Sequence, residues 1–345
     1  MKKYLWLCIP VLLSGMILAG CGKKESDKPP VNNIKIGISV YNQYDTFIAE
    51  MMDAVELGAV ELEDKYGITV TLDIQNAGGK QMTQNDQMDY FMEKNCDIVC
   101  INLVDRTDAS TIIERAKKAN IPVIFFNREL VEEDLERWDR LYYVGADALE
   151  SGIMQGEILL DKIKQDPETV DQNGDGVIQY VMLEGEAGHQ DSIVRTMYSI
   201  DTVTNAGYAV EKLADEIANW NRDQAKTKMA QWQQDYGSRI EVIFSNNDDM
   251  ALGAIDALKE AGYFEKGGKT PPVVLGIDGT KEAILAVENG EMLGTVLNDS
   301  KGQAMGMLEL SYSLVSGETL DPEFTLINGR YIRLPYREIT GSENQ

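Results

Sequence analysis

The chain has 345 residues, with 32 basic and 57 acidic side chains and a formal net charge of −25 at pH 7. A charge this negative excludes nucleic acid and an anionic membrane surface as partners of the protein surface. The single histidine and the lack of a cysteine cluster exclude a structural zinc site.

An export signal is predicted at the N-terminus. Two lysines precede an apolar run, and Ala19 and Gly20 come directly before Cys21. This arrangement resembles the bacterial lipoprotein signal, in which residues 1–20 are removed and Cys21 is lipidated. A membrane-spanning helix is the alternative, since the apolar run reaches about 17 residues, the lower limit for crossing a bilayer. The cleavage site favours the lipoprotein, with residues 21–33 as lipidated cysteine and flexible tether.

Removal of the signal leaves 345 − 20 = 325 residues, enough for two domains of ordinary size. Two lysines and no acid are lost, so the mature charge is 30 − 57 = −27. The body of the chain then contains Cys96 and Cys100. On one strand these residues would lie about 13 Å apart, beyond the reach of a disulfide. We therefore predict that both are buried thiols.

From Ile34 onward, short apolar runs alternate with longer amphipathic ones, which is typical of parallel α/β sheets. The first half is predicted to have strands at 34–41, 68–74, 97–104, 121–127 and 141–147, with helices at 46–65, 81–94 and 108–119. The second half is predicted to have strands at 177–184, 208–213, 240–246, 272–278 and 293–298, with helices at 148–164, after His189, and at 223–234, 248–261 and 281–289. A helix at 303–314 and a strand at 331–336 are predicted to return to the first half.

A calcium-type loop precedes the strand at 177–184. Its sequence, DQNGDGVIQ, matches the opening of an EF-hand loop, with oxygen-bearing side chains at alternate positions and a glycine at the sharp turn. The expected ligands are Asp171, Asn173, Asp175, the carbonyl of Val177, and Gln179. The twelfth position is Met182 rather than glutamate, so a further carboxylate must come from elsewhere in the chain. A solvated turn is the alternative interpretation.

Polar residues follow strand after strand, at the end of the sheet where α/β proteins bind ligands. They are Asp45, Asn127, His189, Asp191, Arg195, Asn247, Asp278 and Asn298. No phosphate-binding glycine motif occurs there, and planar amides and carboxylates favour a small neutral molecule rich in hydroxyl groups, such as a sugar. Phe47 and Trp220 are candidate platforms for its apolar faces. The alternatives are helix caps, as also predicted for Asp248 and Asp223, and ordinary packing for the aromatic rings.

The motifs YNQYDTF, PVIFFN, SGIMQGE, DQNGDGVIQ, GEAGHQDSIVRT, GIDGTKEA and IRLPY resemble those of the galactose/glucose-binding proteins among the periplasmic sugar-binding proteins. The resemblance covers most of the mature chain. It implies that the eight polar residues contact a hexose between the rings of Phe47 and Trp220, and that Glu241 supplies the missing calcium carboxylate. It also implies a type I periplasmic binding protein fold, with two doubly wound parallel-sheet lobes and a three-segment hinge. The lobes would be 34–146 plus 299–332, and 147–298 plus 333–345.

The expected function is that of a lipid-anchored extracytoplasmic protein that binds an aldohexose, D-glucose or D-galactose, and delivers it to an ABC importer. We expect a monomer without enzymatic activity, with a structural calcium ion. Asn42, Gln43 and Tyr44 depart from better-known members, which leaves the preferred hexose open. A glycosidase, a sugar-responsive repressor, and a ligand presenter for a chemoreceptor or sensor kinase are the alternatives. The repressor would need a basic helix-turn-helix where the signal and tether stand.

Overall fold

The computed structural model describes residues 31–341, which form twelve strands and eleven α-helices. The strands are β1 (Asn33–Val40), β2 (Thr69–Asn76), β3 (Ile98–Ile101), β4 (Val123–Phe126), β5 (Leu141–Gly145), β6 (Val177–Glu184), β7 (Ala209–Ile217), β8 (Val242–Ser245), β9 (Val273–Asp278), β10 (Gly294–Leu297), β11 (Tyr331–Arg333) and β12 (Arg337–Thr340). The helices are α1 (Thr46–Tyr66), α2 (Gln81–Glu93), α3 (Ser110–Ala119), α4 (Glu132–Leu135), α5 (Ala148–Gln165), α6 (Pro167–Val170), α7 (Gln190–Asn205), α8 (Arg222–Asp235), α9 (Asp248–Glu260), α10 (Lys281–Glu288) and α11 (Ser300–Ser316).

The strands form two six-stranded sheets, one in each lobe. The first sheet has the order β11-β5-β4-β3-β1-β2, and the second has the order β12-β10-β9-β8-β6-β7. All neighbouring strands are parallel except β12, which runs antiparallel to β10. The predicted architecture of two parallel-sheet α/β lobes is therefore confirmed.

Helices cover both faces of each sheet, because the central strands are apolar on both sides. Every residue of β3 and β4 is buried, whereas the edge strands β2 and β7 are partly exposed along their length. Each lobe consequently has two apolar clusters, one on either face of its sheet. This arrangement fixes the carboxyl ends of the strands of both lobes as the surfaces that can face each other across a cleft.

The chain passes between the lobes three times: from β5 to α5, from β10 to α11, and from β11 to β12. After the second passage α11 packs against α1, β4 and β5 of the first lobe. The predicted return of a helix and a strand to the first half is confirmed, but the strand ends at Arg333 rather than at residue 336. Tyr331–Arg333 pairs with β5 in the first sheet, and the unpredicted β12 joins the second sheet. Pro335 cannot donate a ladder hydrogen bond, which agrees with a break at this point.

Two further sequence predictions concern the ends of the chain and its thiols. The export signal, Cys21 and the tether up to residue 30 lie outside the described residues. Within 31–341, no helix combines the length and the apolar character that crossing a bilayer demands. Cys96 and Cys100 are both buried free thiols, as predicted, although only Cys100 lies in β3. Burial raises the pKa of Cys96 to about 11 and that of Cys100 to about 12.

Candidate functional site

One cavity between the lobes collects all ten of the predicted sugar-contacting residues. Its lining also includes Tyr41 and Arg128, which were not predicted. The cavity is narrow in this conformation, with about 30 Å³ of space for the centre of a water-sized sphere. A larger cavity of about 570 Å³ lies at the amino ends of β9 and β10. We assign the site to the smaller cavity, because it lies at the carboxyl ends of the strands and concentrates the polar side chains.

On the first lobe, Asp45 is both a helix cap and a cavity residue. It follows β1, and its Oδ1 accepts a hydrogen bond from the backbone N–H of Ile48 in the first turn of α1, at 2.9 Å. Its Oδ2 accepts a hydrogen bond from the Tyr41 hydroxyl at 2.6 Å. Phe47 in the same turn is 6% exposed. The cap and ligand interpretations are therefore compatible, because the capped carboxylate also lines the cavity.

Arg128 connects the first lobe to the second. Its guanidinium carbon lies 3.4 Å from the centre of the Tyr41 ring, and its Nη2 donates to Glu186 Oε2 at 2.7 Å. Arg128 is buried, whereas the Glu186 side chain is 41% exposed. Arg128 directly follows Asn127, and Tyr41 is the last residue of a predicted strand. Their position at strand ends is the signal by which both could have been found.

Arg195 is the centre of the second wall, and each of its guanidinium nitrogens has a protein hydrogen-bond partner. It lies 3.3 Å from the Asp191 carboxylate and 3.8 Å from that of Asp278. It also donates to the carbonyl of Asn246 at 2.8 Å and to the Tyr336 hydroxyl at 3.2 Å. Arg195 is 3% exposed, so this cation is held in place by its partners. The arrangement provides a rigid charged floor for a ligand.

His189 begins α7 and is neutral. Its Nδ1 accepts the backbone N–H of Asp191 at 3.1 Å, so the ring proton is on Nε2. Burial lowers the pKa of His189 to about 3. The contact of 3.7 Å between its Nδ1 and the Asp191 carboxylate is consequently not an ion pair. The imidazole is left with one hydrogen-bond donor, Nε2–H.

Trp220 lies against the backbone at the end of β6. A Cβ atom at Gly185 would come within 2.1 Å of the Trp220 ring, so only glycine fits at that position. The ring also meets His189 edge-on, with centroids 5.1 Å apart. Trp220 has a φ of 58°, and Asn127 and Asp278 also have positive φ values, 59° and 134°. Asparagine tolerates the left-handed region, but a positive φ is unfavourable for tryptophan, and a φ of 134° is unfavourable for aspartate.

Two of the predicted helix caps are wrong. Asn247, not Asp248, is the N-cap of α9 and accepts the backbone N–H of Met250 at 3.0 Å. Asn221, not Asp223, is the N-cap of α8. Asp248 is fully buried instead, and it accepts hydrogen bonds from the Thr280 backbone and the Thr295 hydroxyl, at 2.8 and 2.6 Å. Burial raises its pKa to about 6.

Comparison with known proteins identifies the family. The family model for the periplasmic binding protein domain matches residues 36–319. This chain is a periplasmic binding protein. It is 38% identical over 305 residues to the D-galactose/methyl-galactoside binding periplasmic protein of Haemophilus influenzae, covering 88% of both chains. It is 28% identical over 316 residues to a xylitol-binding protein of Mycolicibacterium smegmatis, covering 90% of this chain and 81% of that one.

Solved structures agree with the family. An ABC transporter solute binding protein from Bacillus halodurans with bound myo-inositol has a TM-score of 0.73 and 26% identity, covering 91% of this chain and 96% of that chain. A periplasmic solute binding protein from Actinobacillus succinogenes with bound D-allose has a TM-score of 0.75 and 20% identity, covering 90% of this chain and all of the other. At that identity the second match speaks for the fold alone.

Side-chain contacts between the described residues join the lobes of this periplasmic binding protein around the cavity. Besides the Arg128–Glu186 ion pair, Thr46 Oγ1 donates to Asp249 Oδ2 at 2.6 Å. Arg106 Nη2 donates to Gln190 Oε1 at 2.7 Å. Each contact joins an element of the first lobe to an element of the second. The described conformation is therefore a closed one, in which these contacts stabilise the apposition of the walls.

The predicted calcium loop folds around Glu241. Glu241 is fully buried, and its two carboxylate oxygens accept the backbone N–H groups of Asn173 and Gln179, at 3.1 and 2.9 Å. Asp171 accepts the N–H groups of Gly174 and Gly176. Within residues 31–341, no three Asp, Glu, His or Cys side chains alone form a metal cluster. The predicted set contains the oxygen ligands that a hard cation such as Ca²⁺ prefers, but in this conformation its three carboxylates do not form a group that could hold the ion.

Proposed function

We propose that this periplasmic binding protein binds an aldohexose, D-glucose or D-galactose, in the cavity between its lobes. The observation that supports this most directly is the lining itself, in which carboxylates, amides, two guanidinium groups and one neutral imidazole come together with three aromatic rings. Each sugar hydroxyl can donate to a carboxylate and accept from an amide or guanidinium. Phe47 and Trp220 would cover its apolar faces. The similarity to a galactose-binding relative favours a hexose.

Binding would act through closure of the lobes. A hexose that contacts Asp45 and Asn127 on one wall and Asp191, Arg195 and Asp278 on the other stabilises the conformation in which both walls meet. The ligand shifts the equilibrium by its difference in affinity for the closed and open states.

The cellular role that we propose is delivery of the sugar to an ABC importer outside the cytoplasm, with the protein attached to the membrane by lipid on Cys21. The family membership supports the extracytoplasmic place and the import role. Presentation of the bound hexose to a chemoreceptor or sensor kinase is an alternative that shares the same binding step. A calcium ion held by the 171–179 loop and Glu241 would stabilise the second lobe without contacting the sugar.

Calorimetry with glucose, galactose, xylose and ribose tests the proposal. We expect a hexose to bind most tightly, and the pentoses to bind more weakly because they lack the hydroxymethyl group and its hydrogen bonds. Incubation with an aryl hexoside should release no aryl alcohol, since we infer binding without catalysis. Tighter binding of a pentose than of either hexose would contradict the proposal.

A further inference from the structure

The three asparagines that line the cavity share one feature: a protein donor occupies the side-chain oxygen of each. The asparagines are Asn127, Asn247 and Asn298, and they come from both lobes. An amide has one oxygen, which accepts, and one NH₂ group, which donates. When the oxygen is engaged within the protein, the NH₂ group is the part left for a ligand. The polarity of the cavity is therefore decided by residues behind its wall.

Asn102 decides the orientation of Asn127. The Asn102 Oδ1 accepts the backbone N–H of Tyr41 at 3.3 Å, and its Nδ2 donates to the carbonyl of Phe126 at 3.2 Å. A backbone N–H can only donate and a carbonyl can only accept, so the Asn102 amide has one allowed orientation. Its Nδ2 then also donates to Asn127 Oδ1 at 3.0 Å. Asn127 must present its Nδ2 to the cavity.

Asn247 is oriented by the backbone itself. As the N-cap of α9, its Oδ1 accepts the N–H of Met250 at 3.0 Å. The amino end of a helix offers donors and no acceptors, so the amide oxygen must face the helix. The Nδ2 group of Asn247 is again directed away from the protein partner and toward the ligand.

The orientation of the Asn298 amide depends on a single side chain, which belongs to α11 beyond the second passage between the lobes. Its Oδ1 accepts a hydrogen bond from Gln303 Nε2 at 2.6 Å. Gln303 is in the first turns of α11, which packs on the first lobe, and is 1% exposed. Within residues 31–341, this is the one hydrogen bond that the Gln303 side chain makes, since its Oε1 has no partner. We infer that the main role of this buried amide is its hydrogen bond to Asn298.

We propose that Gln303 is a positioning residue that fixes the NH₂ group of Asn298 toward the ligand, and that Asn102 does the same for Asn127. The proposal rests on the proposed sugar-binding function, and it specifies which groups of the site donate hydrogen bonds to the ligand and which accept them. The three amides act as donors to the oxygen atoms of ligand hydroxyls, while carboxylates such as Asp45 and Asp191 accept the hydroxyl protons. The preferred ligand is a neutral polyol whose oxygens are available as acceptors.

A double-mutant cycle with Gln303→Met and Asn298→Ala tests the assignment, with the dissociation constant of the tightest-binding hexose as the readout. Methionine matches the length of glutamine but has no N–H to donate. We expect Gln303→Met to weaken binding about five- to tenfold, as for loss of one buried hydrogen bond. In the Asn298→Ala background the same change should alter binding by less than about twofold, because the group that Gln303 positions is absent.

A second readout separates positioning from a general effect on the fold. Each monodeoxy analogue of that hexose should bind the unmodified protein more weakly than the hexose does. One of them should bind Asn298→Ala as tightly as the hexose does, because the hydroxyl that it lacks is the partner of Asn298. Gln303→Met should reduce the discrimination against that same analogue and leave the others unchanged. If Gln303→Met proves too unstable, Gln303→Glu at pH 8 replaces it, since an ionised carboxylate also has no donor for Asn298 Oδ1.

Gln155→Met is the matched control. Gln155 is also fully buried with an unpartnered Oε1, but its Nε2 donates to the backbone carbonyls of Ser245 and Gly276 rather than to a cavity side chain. It should change affinity less than about twofold. Equal losses in both glutamine variants, or additive effects of Gln303→Met and Asn298→Ala, would overturn the assignment of Gln303 alone. Absence of hexose binding by the unmodified protein would overturn the proposed function as well.

Discussion

The ligand cavity and the 171–179 loop lie at opposite ends of one strand, β6, and are built from similar oxygen-bearing residues, yet they are bonded in different ways. In the loop, the oxygens of Asp171 and Glu241 accept N–H groups of the loop and of the start of β6. In the cavity, protein partners engage the side-chain oxygens of Asn127, Asn247 and Asn298 and leave their NH₂ groups for a ligand. The polar groups of the loop bond to one another, whereas the cavity keeps polar groups available for a ligand.

The backbone shows the same difference. The positive φ angles of the loop fall on glycines, Gly174 and Gly176, for which they cost little. In the cavity they fall on Asn127, which tolerates such a φ, and on Trp220 and Asp278, where each costs on the order of 1–3 kcal/mol. Strain on residues that line a cavity is maintained by the surrounding structure. We infer that damage to the cavity should lower affinity, whereas damage to the loop should lower stability.

The largest effect is expected for Asp278→Asn. Asparagine tolerates the φ of 134° better than alanine does, so the variant tests the carboxylate rather than the backbone. Loss of the charge removes an acceptor for the ligand and one partner of the buried Arg195. Binding should weaken by about 3 kcal/mol or more, over a hundredfold in dissociation constant. Calorimetry measures the affinity, and thermal melting checks the fold.

The control is Asp223→Asn, at an exposed position in the first turn of α8. It should leave affinity unchanged and stability within about 0.5 kcal/mol. Similar losses of affinity in the two variants would remove the distinction between cavity and surface on which the site assignment depends.

Calcium removal should produce the next effect, and in stability rather than affinity. A bound ion at a hundred times its dissociation constant stabilises the folded state by about 2.7 kcal/mol. In a protein of this size a chelator should thus lower the melting temperature by about 5–10 °C. The dissociation constant for the sugar should change less than about twofold, since the loop and cavity are separated by the length of β6. Melting curves with and without chelator make the measurement.

Glu241→Gln provides the matched variant for the metal prediction. Its melting temperature should be low in both conditions, because it lacks the carboxylate that completes the ligand set. Identical melting temperatures of the unmodified protein with and without chelator would refute the calcium assignment. A loss of sugar affinity on chelation would instead show that the loop and cavity are coupled through β6.

A smaller effect is expected at the Arg128–Glu186 ion pair. This pair joins the lobes only in the closed state, but Glu186 is 41% exposed, so water weakens the attraction. Glu186→Gln should reduce affinity about threefold to fivefold, corresponding to about 1 kcal/mol. The loss should shrink in Arg128→Met protein and at high salt. An unchanged affinity at low salt would show that this contact does not contribute to closure.

The sequence predicted the α/β class and both sheets because alternating apolar and amphipathic runs have a clear period. The ten predicted sugar-contacting residues all line the cavity. Most of them could be found because they are polar residues that directly follow an apolar run, where a parallel strand ends. The sequence missed Tyr41 and Arg128, since an aromatic residue and a cation at strand ends are equally consistent with packing and with a surface. It misassigned Asp223 and Asp248 as caps, because two neighbouring Asx residues compete for one cap position and only the local φ and ψ decide between them.

The smallest effect is expected at that cap. Asn221 accepts the N–H of Gln224 at 3.0 Å and directly follows the strained Trp220. Asn221→Ala should lower stability by about 1 kcal/mol, while Asp223→Ala should cost only a few tenths through the helix dipole. Urea unfolding of both variants measures the difference. If Asn221→Ala also weakened sugar binding more than about threefold, the cap would position the Trp220 ring as well as stabilise α8. The start of α8 would then contribute to the cavity and not only to the stability of the lobe.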